Sequence, residues 1–200
     1  MPEHLIWPLL GGALGAGAGC AIAAFRRDLA LAPRDFALSA GLVSLAASFF
    51  VNGAEAICLI AVLSALALSD LKLRLLPNEL TYGLVALGVG FALFGPRDPL
   101  LAIIAAAIGG GALWSLRALW LKTRGQEALG LGDVKMLAGV GAFVGPFALP
   151  EVVFWAAISG IAMALIMSLR GAKDPEIPFG AAMALSAWLY IACGPILFAV

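Results

Sequence analysis

Two aspartates stand at the edges of apolar stretches in a chain that is otherwise nearly all hydrocarbon. Asp70 occurs in Ser69-Asp70-Leu71-Lys72-Leu73-Arg74-Leu75-Leu76-Pro77-Asn78, and Asp133 in Gly130-Leu131-Gly132-Asp133-Val134-Lys135. A carboxylate is costly to strip of water, so an acid near a bilayer core faces a protein interior or a wet cavity and points by default to function. Two carboxyls in one site resist ionising together, and a pair that holds a single proton can do acid and base work at once. The ionised member takes a proton from water, and the neutral member gives one to an amide leaving group. Asp133 opens a helix, where unpaired amides favour the carboxylate, while Asp70 closes one, where the dipole favours the neutral acid. This assigns Asp133 as base and Asp70 as acid, with the two titrations belonging to the pair. The bland alternative makes Asp133 a helix cap and gives Asp70 to Lys72 or Arg74.

Other chemistries are excluded by count and spacing. His4 is the sole histidine and lies near the N-terminus, which removes His-based metal sites and Ser-His-Asp catalysis. Cys20, Cys58 and Cys193 are isolated within apolar runs and form no C-x-x-C pair, so neither a zinc site nor a redox motif is expected. They read as small buried apolar side chains. No metal and no cofactor is expected.

The elements that must position the aspartates follow from composition. With 63% hydrophobic and 12% charged residues, the 200-residue chain has too little polar surface to cover a water-soluble globule. The apolar runs are continuous rather than alternating, which predicts an all-α membrane protein and not a barrel. Membrane helices are expected at roughly 5–25, 36–52, 55–71, 79–95, 99–121, 132–148, 152–170 and 178–198, several of them short for a full span. The fold class is therefore a polytopic helical bundle of about eight transmembrane helices.

Basic residues set its direction. With the N-terminus outside, the cytoplasmic side receives Arg26, Arg27, Arg34, Lys72, Arg74, Arg117, Lys122, Arg124, Lys135, Arg170 and Lys173, and the outside only Arg97. Asp70 and Asp133 then share the cytoplasmic face. The first apolar run lacks a basic stretch before it and is followed by Arg26-Arg27, which reads as a retained helix rather than a signal peptide. Gly15 and Gly19, and Gly109-Gly110-Gly111, read as points of close helix packing. A net charge of zero gives no reason to expect a nucleic-acid partner.

Together, Asp70 followed by Leu75-Leu76-Pro77-Asn78-Glu79-Leu80-Thr81, then Gly130-Leu131-Gly132-Asp133-Val134-Lys135, then Ile177-Pro178-Phe179-Gly180, resemble the type IV prepilin peptidases, which are GxGD-type aspartyl proteases. The motifs occur in the family's order, and the resemblance covers about 54–200 well. It implies cleavage of a short basic leader from prepilin or pseudopilin precursors at the cytoplasmic face of the bacterial inner membrane, just before an apolar helix. By motif, Asp70 and Asp133 are the catalytic pair. Substrate-positioning roles are expected of Gly130, Gly132, Pro77, Asn78, Lys135, Pro178, Phe179 and Gly180. The two glycines would let a substrate backbone come close. Pro77-Asn78 would cap the fourth helix, Asn78 accepting from an amide near Thr81, with a lesser part in shaping the site. Lys135 either tunes Asp133 or reaches the lipid headgroups. Pro178 opens the last helix.

Residues 1–53 form an N-terminal helix pair and 54–200 a six-helix peptidase core in this reading. Bifunctional members of the family carry two C-x-x-C pairs between their first two helices and methylate the new N-terminus. Here that interval, Arg26 to Asp35, is short and has no cysteine, so peptidase activity without methyl transfer is expected. Asp28, Asp35, Glu79, Glu127, Asp174 and Glu176 offer an acidic surface to a basic leader. Two other readings use the same acids: a presenilin-like intramembrane protease, and a proton-coupled transporter. The Asp-to-Pro-Asn segment and the place of Pro178-Phe179-Gly180 disfavour the first, and no inverted repeat supports the second.

Overall fold

Proline and glycine divide a nearly uniform apolar chain into helices. The structure is a computed structural model and describes residues 3–25, 33–48, 53–125, 127, 129–170 and 177–197. Among these are eight α-helices: α1 (Glu3–Phe25), α2 (Pro33–Ser48), α3 (Ala54–Leu73), α4 (Asn78–Phe94), α5 (Pro99–Arg124), α6 (Leu131–Val144), α7 (Leu149–Leu169) and α8 (Phe179–Cys193). Each overlaps one of the eight expected spans. α5 starts where Asp98 caps it, its carboxylate accepting from Leu100 N at 2.8 Å, with Pro99 in the first turn. α6 stops at Val144, four residues earlier than expected, because Gly145 adopts φ 85° and sends its N–H back to Gly141 O. That left-handed conformation is cheap only for glycine.

α3, α5 and α7 are long and apolar enough to cross a membrane. This fits the membrane protein that the composition predicts. α6 has 14 residues, about 21 Å at 1.5 Å per residue, and is held between its longer neighbours α4 and α5. α8 packs on α3, α6 and α7, and α1 packs on α2 and α3. The core runs through the middle of this arrangement, with Leu59, Leu63 and Leu66 of α3, Leu84 of α4, Met136, Leu137 and Val140 of α6 and Met183 of α8 all buried.

Helix association in an apolar medium lacks the hydrophobic drive available in water and rests on close packing of small residues. The glycines expected to allow this do so unequally. A Cβ on Gly15 of α1 would lie 2.5 Å from Ser44 Cβ of α2, and one on Gly109 of α5 would lie 2.8 Å from Leu137 O of α6. Gly111 faces open space, so its packing role is not found; the side of Gly19 lies outside the described residues. At the same α5–α6 crossing a Cβ on Gly141 would meet Ala105 O at 2.7 Å. The cysteines differ from expectation. Cys20 and Cys193 are exposed and Cys58 is half-buried.

At the end of the bundle formed by the start of α3, the α4–α5 turn and the end of α6, Arg97 pairs with Glu55 and donates to the carbonyls of Ala142 and Phe143. The ends of α3 and α5 and the starts of α4, α6 and α8 lie at the opposite end.

Gly141→Ala is expected to destabilise the fold by about 1–3 kcal/mol, because the added methyl meets main chain that cannot swing away. Gly111→Ala should be neutral or stabilising by up to about 1 kcal/mol, since its methyl meets nothing and alanine favours the helix. Thermal unfolding of both variants in the same detergent separates the two cases.

Candidate active site

Asp70 lies in the last turn of α3, where its carboxyl is buried at 7% exposure. Its Oδ2 accepts from the N–H of Ala181 at 3.0 Å, a bond that joins positions 111 residues apart. Ala181 is the third residue of α8, whose N-cap is Pro178, so the carboxyl of one helix caps the N-terminus of another. Gly180 lies beside the same oxygen, which is 3.0 Å from where a Cβ on Gly180 would stand. The α8 amide therefore acts against the α3 dipole that the sequence offered as the reason for a neutral Asp70. Division of labour belongs to the pair rather than to either helix end.

Asp133 is the third residue of α6, after the N-cap Gly130, and its carboxyl turns back on that glycine, with Oδ2 3.3 Å from where a Cβ on Gly130 would stand. This turn toward the N-cap is the direction taken by the carboxylate half of a capping box. It is the helix-cap reading of Asp133, and it coexists with a second feature: Asp133 and Asp70 interact electrostatically across the gap between α6 and α3. Arg74 interacts with Asp70 in the same way.

The α3–α4 loop fills the space beside the two acids. Ser69, fully buried, donates to Leu75 O at 2.7 Å, and Arg74 takes a left-handed conformation with its N–H on Asp70 O. These bonds turn Leu76 inward. A Cβ on Gly132 would sit 2.7 Å from Leu76 Cβ, and one on Gly180 would sit 3.0 Å from both Leu76 Cδ1 and Asp70 Oδ2. Gly132 and Gly180 thus keep room for Leu76 and for the Asp70 carboxyl. Leu76 was not singled out from sequence, since a leucine in an apolar run carries no chemical signal.

The structure brings together Asp70, Asp133, Gly130, Gly132, Gly180 and the N-cap Pro178, and sets Phe179 against the core behind them. Asn78 plays another part than expected. Pro77 is the N-cap of α4 and no side chain caps the helix; Thr81 Oγ1 instead donates to Asn78 O at 3.1 Å. The Asn78 side chain reaches across to α6, where Oδ1 accepts from Lys135 Nζ at 2.7 Å. Lys135 also lies over the Tyr82 ring, 4.7 Å from its centre. It ties α4 to α6 on the outer side of the helix rather than tuning Asp133. Of the acidic residues expected to attract a basic leader, Glu127 pairs with Arg117. Asp28, Asp174 and Glu176 fall outside the described residues, as does the side chain of Asp35.

Beside Asp70 opens a cavity of about 480 Å³, within the size range of ligand-holding clefts. Ile60, Leu63, Ala67 and Leu71 of α3 face Ala184, Leu185 and Trp188 of α8 across it. Ala181, whose amide holds Asp70, also lines it. Among the described residues, no three His, Cys, Asp or Glu side chains gather to hold a metal ion.

Residues 57–165 match the family model described as the type IV leader peptidase family. The chain belongs to that family. A "Prepilin leader peptidase/N-methyltransferase" of Burkholderia pseudomallei (strain K96243) is 38% identical over 149 residues, 72% of this chain and 47% of that protein. A protein of the same description from Neisseria gonorrhoeae is 35% identical over 132 residues, 66% of this chain and 46% of its own. One from Dichelobacter nodosus is 41% identical over 128 residues, 64% and 44% respectively. The chain spans about half the length of the curated relatives it matches. No solved structure gives a significant match.

The Leu76 wedge yields a direct expectation. Gly132→Ala should cost about 1–3 kcal/mol, because the methyl meets a Cβ fixed to the loop backbone. Gly83→Ala, open to within 4 Å, is the matched control in α4. Equal unfolding midpoints for the two would remove the wedge.

Proposed function

We propose that the chain is an aspartyl endopeptidase that cleaves the leader of prepilin or pseudopilin precursors, with Asp70 and Asp133 as its catalytic pair. The observation that carries this reading is the meeting of two carboxyls from distant helices, Asp70 anchored by the Ala181 amide and Asp133 turned back on Gly130, each within electrostatic reach of the other. One carboxylate removes a proton from water as the water oxygen attacks the scissile carbonyl carbon. The other carboxyl supplies its proton as the carbon–nitrogen bond breaks, and the pair ends with one proton, as it began. No cofactor enters these steps.

The apolar cavity beside Asp70 suits the hydrophobic helix that follows the cleavage site in such precursors, with the basic leader left at the polar end. We place the enzyme in the bacterial inner membrane as a multi-pass bundle with its N-terminus outside and the aspartates on the cytoplasmic side. Lys72, Arg74, Lys122, Arg124 and Lys135 share the helix ends of the aspartates, whereas Arg97 sits at the other end, which supports that orientation. Gly130, Gly132, Gly180, Pro178 and Phe179 shape the site, and Pro77, Asn78 and Lys135 hold its α4–α6 flank. The interval between α1 and α2, residues 26–32, is short for a methyl-transferring insertion, which supports peptidase activity alone. Paired acids in a proton-coupled transporter would not require a substrate-sized apolar cleft against one of them.

Asp70→Asn and Asp133→Asn should each lower cleavage of a full-length prepilin by about 10²–10⁴-fold while leaving the unfolding midpoint near wild type. Membrane assays with N-terminal sequencing of the product supply the measurement, and near-normal turnover in either variant ends the dyad assignment. Ala184→Phe, which intrudes on the cavity, should raise the apparent KM for full-length prepilin by about tenfold. The same variant should leave that for a short leader peptide without the apolar helix within about twofold. A parallel rise for both substrates removes the cavity from the substrate path.

A further inference from the structure

Arg117 is a lone cation well inside α5, two turns before the charged end of that helix. Sequence patterning accounts for it as one more positive charge on the cytoplasmic side. Its side chain is mostly buried, at 15% exposure, and does not extend to the aqueous end. It turns onto the strap that joins α5 to α6. Nε donates to Leu129 O at 3.1 Å, and Nη2 pairs with Glu127 Oε1 at 2.5 Å.

The acceptor of the first bond matters. Leu129 C=O and Gly130 N–H belong to one peptide unit, which is planar and trans, so its two polar groups point in opposite directions. On one side the carbonyl takes a hydrogen bond from a guanidinium; on the other side Gly130 lies against the Asp133 carboxyl, whose Oδ2 is 3.3 Å from where a Cβ on Gly130 would stand. Rotation of this peptide would break the Arg117 bond and shift Gly130 against the Asp133 carboxyl. A cation on the carbonyl also polarises the unit and strengthens its N–H as a donor. The peptide precedes α6 and is the N-cap linkage, so no helical hydrogen bond fixes its rotation otherwise.

We propose that Arg117 is a positioning residue for Asp133, acting through the Leu129–Gly130 peptide, with Glu127 holding the guanidinium in its plane from the exposed side. The proposal rests on the assignment of Asp133 to the catalytic pair. Arg117 touches no reacting atom. Its role is to fix the peptide at Gly130 against which the Asp133 carboxyl rests, and so to hold that carboxyl toward Asp70. A lysine at 117 would keep one donor for the Leu129 carbonyl but lose the fork that also engages Glu127.

The test is steady-state cleavage of a prepilin by the full chain in membranes, with kcat and KM separated, for wild type, Arg117→Gln, Arg117→Lys and Glu127→Gln. Arg117→Gln should lower kcat by about ten- to a hundredfold, the scale of a misplaced catalytic group, with KM within about twofold. Arg117→Lys should recover part of that loss. Glu127→Gln, which keeps an oxygen acceptor at the same place, should stay within about threefold of wild type. Wild-type kcat in Arg117→Gln overturns the proposal, as does a loss in Glu127→Gln equal to that in Arg117→Gln, which would make the ion pair a loop staple and the peptide incidental. If Arg117→Gln fails to accumulate folded, Arg117→Lys decides: a lowered kcat at unchanged KM and wild-type unfolding midpoint supports positioning, and unchanged kcat overturns it. Absence of cleavage by wild type would instead count against the peptidase reading itself.

Discussion

A carboxyl from the end of α3 set on an amide at the start of α8 is the contact on which the site depends. α8 packs beside α3, but its N-terminus has unpaired N–H groups that an apolar surrounding cannot satisfy. Asp70 satisfies one with its Oδ2, and in doing so it fastens the end of α3 to the start of α8. Asp133 stands likewise at the start of α6, with its carboxyl turned back on Gly130. Both acids are thus set against main chain, which cannot swing as a lysine or arginine side chain can. Two helix starts and one helix end converge, and the two carboxyls come with them.

Convergence of that kind needs space at the level of single methyl groups. Leu76 enters between α6 and α8 where Gly132 and Gly180 have no side chain, and it lies against Asp70 at the same time. The loop that carries Leu76 is held by Ser69 from within α3, so the wedge is part of a rigid turn rather than a loose side chain. Farther along α6, Gly139 stands against Leu84 of α4 and Gly141 against the main chain of α5. A helix of only 14 residues gains its fixed position from these approaches on both flanks. Function placed on such elements is held more closely than function placed on loops.

The number of helices, their approximate limits and the two acids are readable from sequence because each rests on a strong physical contrast. Charge against hydrocarbon marks the aspartates, and Gly-Pro clusters mark the breaks. What faces what is less readable. In water, hydrophobicity distinguishes inside from outside, but a lipid-facing surface is as apolar as the core. Phe94, Ile161 and Leu169 are among the most exposed side chains, while Leu66 and Met183 are fully buried, and nothing in their chemistry separates the groups. The cysteines fall to the same ambiguity. Asn78 was misread for a different reason: a side chain at a helix start has local amides and distant cations as rival partners, and Lys135 is the stronger. Arg117 did carry a signal, as a charge within an apolar helix, but a topological account of basic residues absorbs it.

Glu151 is the instructive contrast at the other end of the bundle. It is buried at 1% exposure, and its Oε1 accepts from Ile196 N at 2.7 Å and from Leu197 N at 3.3 Å, so it fastens the turn after α8 to the start of α7. By burial and by amide contacts it resembles Asp70 closely. Tyr190 of α8 interacts with it, and it lies at the end of the bundle away from the apolar cavity beside Asp70. A buried acid on main-chain amides is therefore, by itself, an anchor that the fold uses for closure. The α3–α6–α8 junction brings two acids within reach of one another, so that the device that joins helices also assembles a pair of groups able to share a proton.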